Sequence, residues 1–313
     1  MSVEAFNAGL PEVICVAGPT ASGKSALALK LARELGGEIV SADSMQVYRY
    51  MDVGTAKPSA AEREEIPHFM IDVADPSEEF SVVRYVEEAK AAIKDIASRG
   101  RLPIIAGGTG QYISALVDNI SFDETGTDEA LHAELSEYHK RYGSGALHAL
   151  LKAEDPEAAE QIHENNVKRV LRALEMHRLT GMTLSQRNAG SRLKPVFARY
   201  RVIGIDMPRE ILYARINRRV DDMMESGLEA EAKALYELHS PGRTAAQAIG
   251  YKEFLPYFGG EAELGTAVDK IKQNTRNYAK RQFTWFRHCP WVHWISDPDS
   301  FSASDLESVP VSR

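Results

Sequence analysis

Cysteine is scarce in this chain of 313 residues, and so are long apolar runs and positive charge. Two cysteines, Cys15 and Cys289, are too few for a disulfide framework or a cysteine metal cluster. No stretch approaches the ~20 apolar residues that a membrane span needs, and the first ten residues do not resemble a signal peptide. The net charge of −8 excludes a protein whose whole surface is basic and binds polyanions without a defined site. We therefore expect a soluble, cytoplasmic protein in which any nucleic-acid contact lies on a local basic patch.

The most specific motif is a phosphate-binding loop near the start of the chain. An apolar run at 13–17 leads into Gly18, four residues follow, and Gly23, Lys24 and Ser25 open a helix-like stretch. This G-x-x-x-x-G-K-[ST] pattern lies in its expected context between strand and helix, which disfavours a chance glycine-rich turn. Converging backbone N–H groups, the helix N-terminus and Lys24 would bind a diphosphate or triphosphate, as in ATP-binding loops, and Ser25 would bind Mg²⁺. The predicted loop comprises Gly18, Pro19, Thr20, Ala21, Ser22, Gly23, Lys24 and Ser25.

Alternating strand and helix patterns predict an α/β fold, with a parallel sheet like that of P-loop NTPases and an inserted all-helical subdomain. The expected strands cover 13–17, 38–43, 67–73, 102–106, 198–206 and 291–295. Between 121 and 197 the strand signal disappears, and helices are expected at 128–142, 144–153, 155–163 and 166–179. The predicted domains are a catalytic core at 1–120 and 198–313 and an insertion at 121–197. The tail after Ser296 is rich in Ser, Asp and Pro and is expected to fray.

Two of the expected strands end in residues that could carry chemistry. Asp43 follows the second strand, on the rim where ligands bind in open α/β sheets, although a lone Asp there is also a common turn former or helix cap. The strand at 102–106 ends in a glycine turn that carries Thr109. It lacks the Asp that a nucleotide-hydrolysing enzyme would direct at metal-bound water, which favours a transferase over a motor-type ATPase.

Basic residues cluster in three places. Arg215 and Arg219 are four residues apart on one helical face and could clamp a diphosphate, or could pair with nearby acidic residues. Lys168, Arg169 and Arg172 share one side of a helix in the insertion, where a solvated surface is the alternative. The third cluster lies between 268 and 288, where six basic residues accompany one acidic residue, the pattern of a surface that binds a phosphate backbone. The six are Lys270, Lys272, Arg276, Lys280, Arg281 and Arg287.

Together these motifs resemble the bacterial tRNA dimethylallyltransferases, in order, from about Val13 to Ile295. Beyond the phosphate loop, the resemblance rests on more specific segments at 41–48, 54–58, 67–68, 107–110, 248–252 and 275–282. Such enzymes transfer a dimethylallyl group from its diphosphate to N6 of adenine 37 in tRNAs that read codons beginning with U. The resemblance implies that the phosphate loop holds the donor diphosphate with Mg²⁺ bound through Ser25. We expect the enzyme to be a monomer.

The resemblance also implies roles for single residues. Asp43 corresponds to the general base, Thr109 to a threonine at the reaction centre and Arg219 to an arginine on the diphosphate, beside Lys24. His68 corresponds to a histidine near the site whose role is open. The expected contacts with the tRNA anticodon stem-loop are Asp43, Ser44, Met45 and Gln46; Lys168, Arg169, Val170, Leu171 and Arg172; Gln247, Ala248, Ile249, Gly250, Tyr251 and Lys252; and, on the C-terminal helix, Arg276, Lys280 and Arg281.

Three other functions fit parts of the pattern. An adenylate isopentenyltransferase would prenylate free AMP, ADP or ATP and would not need the basic C-terminal helix. A P-loop nucleotide kinase shares the loop and can have helix arginines such as Arg215 and Arg219, but it would consume ATP. A non-catalytic tRNA-binding module would give Asp43 and the phosphate loop no function.

Overall fold

The computed structural model describes residues 9–120, 128–186 and 196–312, in two compact units. One unit comprises Met1–Val117 and Val196–Arg313, and the other comprises Asp118–Pro195. The helices that the structure describes run in chain order as α1 Lys24–Leu35, α2 Ala60–Glu65, α3 Val82–Ser98, α4 Gly110–Val117, α5 Glu129–Glu154, α6 Pro156–Gln161, α7 Val167–Thr180, α8 Arg209–Glu225, α9 Leu228–Leu238, α10 Leu255–Phe258 and α11 Leu264–Arg287. Within the described ranges, no helix is both long enough and apolar enough to span a membrane.

The first unit is built on a parallel sheet, which confirms the predicted α/β class. Its strands are β1 Glu12–Ala17, β2 Gly37–Ala42, β3 His68–Phe69, β4 Leu102–Gly107, β5 Arg199–Ile205, β6 His293–Ile295 and β7 Val311–Ser312. They lie in the order β3-β2-β4-β1-β5-β6, and β7 pairs antiparallel with β5. Cys15 in β1 lies between Ile105 and Val202, and β1 is buried over most of its length because helices cover both faces of a parallel sheet.

Glycine ends two of the predicted helices as expected. Gly36 (φ +65°) closes α1 and Gly181 (φ +71°) closes α7, each in the left-handed conformation that a helix C-cap favours. In the second unit, Gly143 (φ +81°) interrupts α5, which confirms the two predicted segments on either side of it. This unit has its own apolar core, in which Leu147 and Val170 are fully buried.

Two expectations about the first unit were wrong. The region predicted as a strand at 67–73 pairs only at His68 and Phe69, because Met70 and Asp72 turn the chain at positive φ and Asp72 instead binds Lys57 and Arg63. The tail after Ser296 does not fray. Phe301, Leu306 and Val309 are buried against α1 and the sheet, and the Arg201 guanidinium donates to the carbonyls of Leu306 and Val309.

Candidate active site

The candidate site lies where β1, β4 and β2 end side by side. Because the strands are parallel, the three segments that follow them, at 18–25, 108–110 and 43–46, meet at one edge of the sheet. A cavity of about 300 Å³ opens there. Its walls include Lys24 from the phosphate loop, Asp43 after β2, Arg219 from α8 and Tyr278 from α11. The structure therefore brings together three of the four residues predicted to be catalytic. Thr109 is held next to them by hydrogen bonds to Ala42 and Ser44, the two neighbours of Asp43 in sequence.

The phosphate loop has the backbone geometry that its sequence requires. Gly18 (φ +157°), Ala21 (φ +64°) and Gly23 (φ +96°) all have positive φ values, which curl the chain in front of α1. Gly23 is also the N-cap of α1, so the positive end of the helix faces the loop. The Lys24 ammonium folds back and donates to the carbonyl of Pro19 (3.3 Å).

Electrostatics make this cavity a site for an anion. Burial and the neighbouring Arg219 lower the pKa of Lys24 to about 8, and Asp43 opposes that shift. Burial likewise lowers the pKa of Arg219, again opposed by Asp43. Two crowded, partly desolvated cations thus share one carboxylate, and an anionic ligand would relieve their repulsion. Arg215 is more exposed, and its guanidinium lies 3.9 Å from where a Cβ on Gly23 would be, so it covers the loop from outside the cavity.

Asp43 and Thr109 are tied together by backbone contacts. Asp43 Oδ1 accepts from the N–H of Met45 (2.9 Å), so this residue is a turn former as well as a wall of the cavity. Thr109 Oγ1 accepts from the Ser44 N–H (3.0 Å), and the Thr109 N–H donates to the Ala42 carbonyl (3.0 Å). The two readings of Asp43 from sequence are therefore compatible, because its turn holds the carboxylate beside Thr109.

Among the described residues that line this cavity, the aromatic one is Tyr278. Burial and the Asp43 carboxylate raise the pKa of Tyr278 to about 12, and its hydroxyl contacts Thr109 and Gln282. The Arg281 guanidinium lies over the Tyr278 ring, 5.6 Å from its centroid. At neutral pH the phenol thus stays protonated as part of the cavity wall.

Of the segment 247–252, all residues except Tyr251 line the cavity. Tyr251 is fully buried, and its hydroxyl donates to Glu231 Oε1 (2.6 Å). The same carboxylate accepts the N–H groups of Asp52, Val53 and Gly54 (2.8–2.9 Å). Glu231 thus joins two segments of the cavity wall. Sequence reasoning missed it because an acidic residue on an amphipathic helix gives no local signal of such a role.

The basic residues of α11 fall into two groups. Lys272 pairs with Asp221, Arg276 donates to Asn217, and Arg287 pairs with Asp206. Three of the six basic residues predicted in this cluster are therefore bound within the chain. Lys270, Lys280 and Arg281 are exposed, and Arg281 is the one that also reaches the cavity.

In the second unit, the predicted segment 168–172 divides between surface and core. Lys168, Arg169 and Arg172 are exposed. Val170 and Leu171 are buried, 0% and 7% exposed, in the apolar core of that unit. The side chains of Val170 and Leu171 therefore pack inward, and the predicted RNA contact of this segment depends on Lys168, Arg169 and Arg172 on the exposed face of the helix.

His68 lines a smaller cavity of about 180 Å³ that shares Ser25 and Arg219 with the main one. Its Nδ1 lies 2.7 Å from the Ile66 carbonyl, so that nitrogen carries the proton and Nε2 is the acceptor. Burial lowers the pKa of His68, which favours the neutral ring.

No group of three His, Cys, Asp or Glu side chains suited to a metal ion occurs among the residues that the structure describes. The Ser25 hydroxyl lines the cavity beside Lys24. One hydroxyl suits Mg²⁺ brought in with a diphosphate, because Mg²⁺ keeps several waters and takes most of its remaining ligands from substrate phosphates.

Comparisons with known proteins agree on one family. The model of the IPP transferase family matches residues 46–289. Relatives named tRNA dimethylallyltransferase include one from Acetivibrio thermocellus, 48% identical with 95% of each chain covered, and one from Geobacillus thermodenitrificans, 46% identical with 93% of each covered.

Solved structures give the same result. A full-length tRNA isopentenylpyrophosphate transferase from Bacillus halodurans is 43% identical, with a TM-score of 0.68 and coverage of 95% of this chain and 93% of the other. A eukaryotic dimethylallyltransferase, solved in snapshots of its action on tRNA, is 29% identical, with a TM-score of 0.76 and coverage of 97% and 81%.

Proposed function

The chain belongs to the IPP transferase family of tRNA dimethylallyltransferases, and from that premise we propose how its own residues carry out the transfer. The reaction joins a dimethylallyl group to N6 of adenine 37 in tRNAs that read UNN codons and releases diphosphate. The observation that carries the assignment of residues is the cavity in which Asp43 faces the cations Lys24 and Arg219.

The bond changes follow from that arrangement. The N6 amine attacks the first carbon of the dimethylallyl group, a carbon–nitrogen bond forms, and the bond from that carbon to the diphosphate oxygen breaks. Asp43 takes the proton that the amine loses, a contribution of about 10²–10⁴-fold for general base catalysis. Lys24, Arg219 and the amides of the phosphate loop stabilise the charge on the departing diphosphate.

Thr109 helps to fix the position of Asp43 through the neighbouring backbone. Its Oγ1 accepts the Ser44 N–H next to Asp43, so we assign it to orienting the base and the amine. Mg²⁺ fits beside Ser25, where it would neutralise part of the diphosphate charge.

The RNA must bring adenine 37 out of its stacked loop to reach this cavity, at a cost of a few kcal/mol. Contacts with the RNA backbone offset that cost. We assign them to Lys280 and Arg281 on α11 and to Lys168, Arg169 and Arg172 on the insertion, with 44–46 and 247–252 around the base. Basic residues of each unit would then contact the RNA backbone, and the proposal treats the enzyme as a monomer.

Labelled dimethylallyl diphosphate and Mg²⁺, offered separately with anticodon stem-loop RNA, AMP and ATP, test this function. We expect the label to enter the RNA alone. Label in AMP or ATP would instead assign the chain as an adenylate isopentenyltransferase. Phosphoryl transfer from ATP to AMP when the two are offered together, with no label in any acceptor, would assign it as a nucleotide kinase.

A further inference from the structure

One buried side chain connects two of the segments that form the candidate active site. Gln282 on α11 is 5% exposed. Its Oε1 accepts from the Thr20 N–H in the phosphate loop (2.9 Å), and its Nε2 donates to the Gly108 carbonyl beside Thr109 (2.8 Å). Its partners lie 262 and 174 residues away in sequence, so the contact is purely tertiary.

The surrounding backbone is shaped to receive this amide. A Cβ built on Gly108 would overlap Gln282 Nε2, so glycine is required there for the side chain to reach the carbonyl. The neighbouring Gly107 is packed as closely, because its Cβ would overlap the backbone of Ala42. The turn at 107–110 is therefore pressed between β2 and α11. Gln282, which donates to the Gly108 carbonyl, and Tyr278, which contacts Thr109, are polar links from α11 to this turn.

Each half of the amide matches one partner. The carbonyl oxygen meets a donor, and the NH₂ group meets an acceptor. A carboxylate would place an oxygen against the Gly108 carbonyl, and an apolar side chain would leave both backbone groups unpaired in a buried place. The chemistry of the position thus calls for a neutral side chain with one acceptor and one donor.

We infer that Gln282 is a positioning residue that sets the spacing between the donor-binding phosphate loop and the Thr109 turn. This inference rests on the proposed function, in which the loop holds the diphosphate and Thr109 orients the acceptor amine. Transfer between two bound substrates depends steeply on their separation, and a misplacement of about 1 Å can cost about 10²-fold. A residue that bridges the two holders acts on the rate of transfer rather than on the binding of either substrate.

The test compares three variants in steady-state transfer to the stem-loop. Gln282→Met keeps the volume and removes both hydrogen bonds, and we expect kcat to fall by about 10- to 100-fold with the KM for RNA within about twofold of the parent. Gln282→Glu keeps the acceptor and loses the donor until its carboxyl is protonated. Gln273→Glu, on an exposed turn of the same helix, is the matched control.

The pH profile separates positioning from simple loss of structure. A protonated carboxyl has one acceptor and one O–H donor, so it reproduces the amide. Burial beside a carbonyl raises the pKa of such a carboxyl. The Asp43 carboxylate acts in the same direction, whereas the protonated Tyr278 hydroxyl, as a hydrogen-bond donor, and the cations Lys24, Arg219 and Arg281 around the same cavity oppose it. The activity of Gln282→Glu relative to the parent should therefore rise as pH falls from 8 to 6, while the relative activities of Gln282→Met and Gln273→Glu stay constant.

Several outcomes would overturn the inference. Parental kcat in Gln282→Met would do so, as would a relative activity of Gln282→Glu that does not change with pH. So would a loss of activity in Gln282→Met that disappears when the rate is expressed per folded enzyme, because unfolding alone would then account for it. A parent enzyme that does not prenylate RNA would instead refute the proposed function, so the two failures are distinguishable.

Discussion

Removing the two exposed cations of α11 should make RNA binding measurably less sensitive to salt. Lys280 and Arg281 are exposed, whereas Lys272 and Arg287 on the same helix are paired with Asp221 and Asp206. Each phosphate contact adds about 0.7 to 0.9 to the slope of log K against log salt. The variant Lys280→Ala/Arg281→Ala should therefore show a slope shallower by about 1.4 to 1.8.

That change is large enough to measure by filter binding or fluorescence anisotropy. Between about 50 and 200 mM salt, the parent should lose about 7- to 12-fold more affinity than the variant does. The variant Lys272→Ala/Arg287→Ala removes the same charge from the same helix and is the matched control. We expect it to change the slope by less than half as much, because those cations are already paired. Equal slopes for the two double variants, or a parental slope for Lys280→Ala/Arg281→Ala, would refute the reasoning.

Three further changes test other parts of the site. Asp43→Asn should lower kcat by about 10²–10⁴-fold without weakening RNA binding, and turnover near that of the parent would remove the base assignment. Gly107→Ala should lower the free energy of unfolding by about 1–3 kcal/mol, because the new Cβ would overlap the backbone of Ala42; an unchanged denaturant midpoint would contradict this packing. Glu231→Ala should raise the KM for RNA about tenfold and leave the KM for the donor unchanged, since it frees the segments 52–54 and 247–252. The exposed Glu237→Ala is its control, and identical kinetics in the two variants would rule out that role.

The framework of the fold could be predicted because its signals are local. The phosphate loop, the glycine ends of α1 and α7 and the break at Gly143 depend on residues within a few positions of each other. Asp43 could be placed beside the loop because parallel strands end at a common edge.

The remaining features depend on contacts between residues that are far apart in the sequence. The role of Gln282 depends on Thr20 and Gly108, which lie 262 and 174 residues away in sequence. The tail after Ser296 was expected to fray because it is polar. Three spaced apolar residues, Phe301, Leu306 and Val309, nevertheless pack it against the core. The cluster of basic residues on α11 was predicted from charge alone. One of its members, Lys272, is paired with Asp221 on α8 and is therefore less available to an external anion.

The most direct test of the account is a single-turnover reaction in the absence of ATP. Stoichiometric enzyme, dimethylallyl diphosphate and Mg²⁺ are mixed with a stem-loop that carries either adenine or unsubstituted purine at position 37. The account predicts one diphosphate released for each RNA modified at N6 with adenine, and no transfer with purine, which lacks the amine. Transfer to the purine RNA would contradict the claim that the base activates an amine. A requirement for ATP would contradict the claim that the phosphate loop holds the leaving group of a prenyl donor.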